Sequence, residues 1–100
     1  MALVSVHAGG YRRRKLDKPH AGIVRALKDA GRKVIDLSGV GGSCPDLLVS
    51  WAGGPNLLIE IKSDDGDLSD GQRKFFDTWP GPKCVVRTER EALAATGVRV

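Results

Sequence analysis

The sequence predicts an α/β domain with a mixed central sheet, its elements in the order α-β-β-β-α-β. Three observations predict it. Apolar residues recur at helical spacing between residues 19 and 30, three short apolar segments follow across glycine-rich connections, and a capping-box pattern opens a second helix before a fourth apolar segment. A chain of 100 residues suits one domain, and no repeat or long linker divides it.

Each element has a local reason. Residues 1–18 read as a basic, mobile arm, and residues 19–100 as the folded domain. A helix is expected from Pro19, where a missing N–H costs little, to about Ala30. His20, Ile23, Val24 and Leu27 share its inner side, and Gly31 is the natural residue to end it. A strand follows over Lys33 to Leu37. The stretch Ser38 to Cys44 (SGVGGSC) is a connection, and Pro45 precedes a second strand from Asp46 to Ser50.

The turn around Gly53, Gly54 and Pro55 leads into a third strand, Asn56 to Lys62. Its run Leu57-Leu58-Ile59 suggests a sheet covered on both faces. So short a link makes the second and third strands an antiparallel hairpin. Ser69 and Gln72 have the form of a capping box for a helix reaching Trp79, with Gln72, Phe75, Phe76 and Trp79 on one face. After Pro80-Gly81-Pro82, Lys83 to Arg87 is a fourth strand. Thr88 and Glu91 repeat the capping pattern before a short helix that Gly97 ends, with room for a terminal strand at Val98.

Sixteen Lys plus Arg against twelve Asp plus Glu give a formal charge of +4, a weak bias toward polyanionic partners. The charges are segregated. Arg12, Arg13, Arg14 and Lys15 form a basic run suited to a phosphate backbone or to a solvated arm, while Asp64, Asp65, Asp67 and Asp70 form an acidic loop without the spacing of a calcium-binding one. Cys44 and Cys84 lack CxxC spacing. No apolar stretch is long enough to cross a membrane, and the N-terminus is unlike a secretory signal, so the expected setting is cytoplasmic.

The chemistry concentrates at Pro45-Asp46 and Glu60-Ile61-Lys62, with thirteen residues between Asp46 and Glu60. Alternation puts Glu60 and Lys62 on one face of the third strand, and pairing through the glycine turn brings Asp46 toward Glu60. Two carboxylates so placed repel unless protonated or joined by a cation, and such oxygen ligands suit Mg²⁺ or Mn²⁺. Lys62 beside them would neutralise a phosphate or help activate water. The bland alternative is a turn Pro-Asp and a solvated strand edge. On the sequence alone, Asp46→Ala is expected to leave the fold largely intact.

The segments GGSCPDLLVS, NLLIEIKSDDGDLSDGQRKFFDTW and CVVRTEREALAATG, with the helix carrying Ile23 and Leu27, resemble the PD-(D/E)xK nuclease superfamily. Within it they most resemble the VRR-NUC group of phage-type, Holliday-junction-resolvase-like proteins, over roughly residues 17–97. The resemblance implies a restriction-endonuclease-like αβββαβ core and a metal-dependent DNA endonuclease hydrolysing phosphodiester bonds, with branched or junction DNA among the expected substrates. It implies Asp46, Glu60 and the backbone carbonyl of Ile61 as ligands for Mg²⁺ or Mn²⁺, Lys62 as the catalytic lysine, and Gln72 as a residue that contacts phosphate or steadies the site. A plain helix-capping role for Gln72 is the alternative.

His20 stands where relatives often carry glutamate. An imidazole can ligate a metal or contact phosphate, and packing or solvation are its other readings; Asp17 is a substitute for the missing charge. The expected partners are DNA, bound by Arg12, Arg13, Arg14 and Lys15, a second copy of the chain in a homodimer, and a larger phage protein, with no membrane. A non-enzymatic phage DNA-binding or packaging accessory on the same fold is the rival reading. Phe75, Phe76, Trp79 and Trp51 are expected in the core rather than as stacking platforms.

Overall fold

The structure, a computed structural model, describes residues 18–100. The run Arg12 to Lys15, with His7 and Asp17, lies outside the described residues. The described chain forms α1 (His20–Asp29), β1 (Lys33–Asp36), β2 (Leu47–Ser50), β3 (Leu57–Ile61), α2 (Asp70–Thr78), β4 (Lys83–Val86) and α3 (Glu89–Ala95). The four strands make one mixed sheet in the order β1-β2-β3-β4. The β1–β2 and β2–β3 pairs are antiparallel, and β3–β4 is parallel. Direct connections without a crossover suffice for the antiparallel pairs. The parallel pair needs a crossover, which α2 supplies.

α1 forms because His20, Ile23 and Leu27 bury one side of it. It ends at Gly31, whose φ of 84° a Cβ would oppose. The Gly31 and Arg32 amides there close onto the Lys28 and Leu27 carbonyls at 3.0 and 2.9 Å. α3 ends in the same way, with Gly97 and Val98 donating to the Ala94 and Leu93 carbonyls. That closure explains why the strand expected at Val98 does not form: its amide is spent on the helix end, and residues 98–100 have no regular structure.

The core lies between one face of the sheet and the pair α1 and α3. It gathers Ile23 and Leu27, the strand residues Leu47, Val49, Leu57, Ile59, Ile61 and Val86, and Ala92 of α3. Burying a side chain such as Ile23 or Leu27 completely is worth about 1.5–3 kcal/mol relative to leaving it in water. All five residues of β3 are buried, so the expectation of a sheet covered on both faces is met at this strand.

The aromatic expectations need correction. Trp79 is 42% exposed and Phe75 and Phe76 are half-buried, outside the core cluster. α2 meets the sheet through Gln72, which reaches Glu60 on the face away from α1, so its rings are not drawn into the apolar layer beneath α1. Trp79 sits past the helix end in extended backbone (φ −85°, ψ 115°) and stacks on Phe75, centroids 5.2 Å apart. Trp51 is half-buried against the core. At that end of the sheet the Arg32 guanidinium lies 5.8 Å from the Trp51 ring and bonds the Ala30 carbonyl and both oxygens of Thr96. No described helix is long and apolar enough to cross a membrane.

Candidate functional site

The ends of β1 and β3 and the start of β2 fall at the same end of the sheet, opposite the Trp51 corner. Leu47 pairs with Ile59; one further step of this register sets Asp46 opposite Glu60. Both are buried, at 5% and 2% exposure. The two carboxylates therefore lie buried at the same end of the sheet.

Asp46 is held from below by the chain itself. Its Oδ2 accepts the Ile61 amide at 2.8 Å, a buried hydrogen bond. Along β3 the Leu58 and Lys62 amides point to β4, bonding the Pro82 and Val86 carbonyls, so Ile61 addresses the β2 side. The N–H and C=O of one strand residue point the same way. The Ile61 carbonyl thus faces the β2 side, where Asp46 precedes the strand.

Glu60 is held by two cationic or amide donors. Gln72 Nε2 donates to Glu60 Oε2 at 3.1 Å, and Lys62 Nζ stands 3.7 Å from the same oxygen. The two readings of Gln72 turn out to be compatible. Its Oε1 accepts the Ser69 amide at 2.9 Å while the Ser69 hydroxyl accepts the Gln72 amide at 3.2 Å, a complete capping box. The cap fixes the amide plane, which leaves the Nε2 side turned to Glu60. The connection before β2 also reaches this region. A Cβ at Gly71 would collide with Ser43 Oγ, so the missing side chain lets the loop close on the first turn of α2.

His20 is placed differently. It is 4% exposed, which removes its solvated reading, and its Nε2 lies 2.9 Å from Asp36 Oδ2. Its Nδ1 is buried with no hydrogen-bond partner. Burial raises the Asp36 carboxyl, but hydrogen bonds from Ser38 and His20 outweigh this and leave its pKa below 3.8. Asp36 Oδ1 takes the Ser38 amide at 2.9 Å and the Ser38 hydroxyl at 2.6 Å. No sequence motif marks Asp36. Its partner, His20, is sixteen residues away.

Among the described residues no group of three or more His, Cys, Asp or Glu side chains is gathered to hold a metal ion. His20 therefore does not join Asp46 and Glu60 in such a cluster. A second element unread in the sequence is Arg87. Its Nη1 donates to the Ser63 and Gly66 carbonyls, each at 2.7 Å, and so gathers the turn that follows Lys62. A depression of about 350 Å³ beside it is lined by Lys18, Pro19, Ser63, Asp64, Arg87 and Thr88. Thr88 caps α3 by accepting the Glu91 amide, but the Glu91 carboxylate turns to the Arg87 amide, 2.6 Å away, so the second capping pattern is only half made.

Comparison with known families, curated proteins and solved structures finds no match to this chain.

Proposed function

We propose that the chain is a divalent-metal-dependent endonuclease that hydrolyses DNA phosphodiester bonds, built on a restriction-endonuclease-like core. The observation that carries this reading is the grouping at one end of the sheet. Asp46 and Glu60 are both buried at that end of the β2–β3 hairpin, and the Lys62 ammonium and Gln72 amide converge on one Glu60 oxygen. The order α1-β1-β2-β3-α2-β4, with only the last strand pair parallel, supports the fold assignment.

The donor set fits a hard cation. Two carboxylates and the Ile61 carbonyl are oxygen ligands, and Mg²⁺ commonly takes few protein ligands and keeps water or phosphate oxygens at its other positions. Asp46, Glu60 and the Ile61 carbonyl would hold the ion. When bound it would polarise a phosphoryl oxygen and acidify a water.

The protein's own groups do the rest. The Ile61 amide fixes the Asp46 carboxylate, and Gln72 fixes that of Glu60, so neither must reorganise to act. Lys62, its side chain 13% exposed, is near enough to water to meet a phosphate. Its ammonium balances charge developing on the non-bridging oxygens and orients the attacking water. Arg12, Arg13, Arg14 and Lys15 would track the DNA backbone without reading sequence.

The deciding experiment incubates the full chain with supercoiled, linear and four-way-junction DNA in Mg²⁺, in Mn²⁺ and in chelator. Cleavage that requires the metal supports the proposal. Binding without cleavage in any metal would refute it and favour the DNA-binding or packaging accessory.

A further inference from the structure

The turn that follows Lys62 is held by a side chain from another strand. Residues 63–66 close through the Gly66 amide and the Ser63 carbonyl at 3.0 Å. Arg87 Nη1 then bonds the Ser63 and Gly66 carbonyls and lies 3.4 Å from that of Asp64. The parallel register pairs Ile61 with Val86, so its next step sets Arg87 beside Lys62. Lys62 is itself tied to β4 by its amide, which donates to the Val86 carbonyl at 3.0 Å.

We infer that Arg87 is a positioning residue for Lys62, an inference that rests on the proposed hydrolysis. The guanidinium fixes the backbone on the C-terminal side of Lys62, as the Val86 carbonyl fixes it at its own amide. Lys62 lies past the last residue of β3, where the ladder no longer restrains the chain. Without a second anchor it would sit at the mouth of an acidic loop carrying Asp64, Asp65 and Asp67, whose carboxylates offer the ammonium competing partners. A cation at Arg87 also offsets that charge. The guanidinium spends its Nη1 protons on carbonyls, so its main work is on the protein rather than on DNA.

One nitrogen makes both short bonds, so a lysine ammonium with three donors can replace it. A glutamine cannot supply the charge and spans the turn poorly. The test compares wild type, Arg87→Gln and Arg87→Lys by metal-dependent cleavage, by DNA affinity in chelator, and by amide exchange at Gly66.

The expected result for Arg87→Gln is a kcat reduced by about 10- to 100-fold, unchanged DNA affinity and faster exchange at Gly66. Arg87→Lys should recover most of both the rate and the protection. Faster Gly66 exchange with an undiminished kcat would overturn the inference, because the turn would then not govern Lys62. Weakened DNA binding that lysine does not restore would also overturn it, by making Arg87 a phosphate contact. Wild-type protein that cleaves nothing in either metal would remove the hydrolysis and the positioning role together, which separates that failure from an active wild type with an indifferent Arg87.

Discussion

Asp46→Ala tests whether the carboxylate has a structural duty beside its proposed chemical one. Its Oδ2 is the acceptor for the Ile61 amide, 2.8 Å away and buried, and Ile61 itself is 0% exposed. Alanine leaves that amide without its partner where water is excluded. The penalty for a buried unsatisfied donor is about 1–3 kcal/mol. For a domain of this size each kcal/mol moves the melting temperature by about 4–8 °C, so Asp46→Ala should melt roughly 5–20 °C below wild type. Relief of repulsion with Glu60 acts in the other direction and trims the loss. This replaces the sequence-based expectation that the fold is little affected.

Asp46→Asn separates the two duties. Its side-chain oxygen still accepts the Ile61 amide, so its melting temperature should stay near that of wild type while the negative charge is lost. The assay is thermal denaturation of all three proteins in chelator, which keeps metal binding out of the comparison. Asp46→Ala melting with wild type, or Asp46→Asn falling as far as Asp46→Ala, would show that the side-chain acceptor has no structural duty.

Three other outcomes are expected. The Asp36 pKa is lowered in the folded chain because its hydrogen bonds from Ser38 and His20 outweigh burial. The unfolded chain therefore binds the proton first, and the stability advantage over Asp36→Asn should be full above the ordinary value of 3.8 and vanish as pH falls through the folded value; urea midpoints across acid pH measure this, and a difference that grows on acidification would contradict it. Burial pushes the Cys84 thiol up to about 11, leaving on the order of one thiolate in a thousand at pH 8, so its alkylation by iodoacetamide should be slow until urea unfolds the chain. Lys62→Ala should keep most DNA affinity in chelator while lowering kcat by about 10²-fold or more; parallel loss of affinity would make Lys62 a binding residue instead.

Much of the fold was legible because local chemistry and tertiary packing agree. Ile23 and Leu27 marked the buried side of α1, Gly31 and Gly97 marked helix ends, and Ser69 with Gln72 marked the start of α2. The glycine turn marked the hairpin that brings Asp46 and Glu60 to the same end of the sheet. What escaped was whatever depends on partners distant in sequence. His20 was legible as an inward residue, but Asp36 as its partner requires knowing which end of β1 meets α1. Gln72 offered two roles that looked exclusive, and only three-dimensional placement reveals one amide serving both Ser69 and Glu60. Trp79 misled because helical spacing continues through it while the helix does not: the backbone turns extended there, and the ring stacks on Phe75 rather than entering the core. The acidic loop looked like free charge, and its anchor, Arg87, lies more than twenty residues later at the end of a parallel strand.

The most direct test of the central claim is the rate of supercoiled-plasmid nicking as Mn²⁺ is titrated, for wild type and for Asp46→Asn shown to be folded by its melting curve. The rate for wild type should rise from zero in chelator to saturation, with no metal-dependent nicking by Asp46→Asn at any concentration. Equal nicking by the two proteins, or nicking by wild type that persists in chelator, would contradict it.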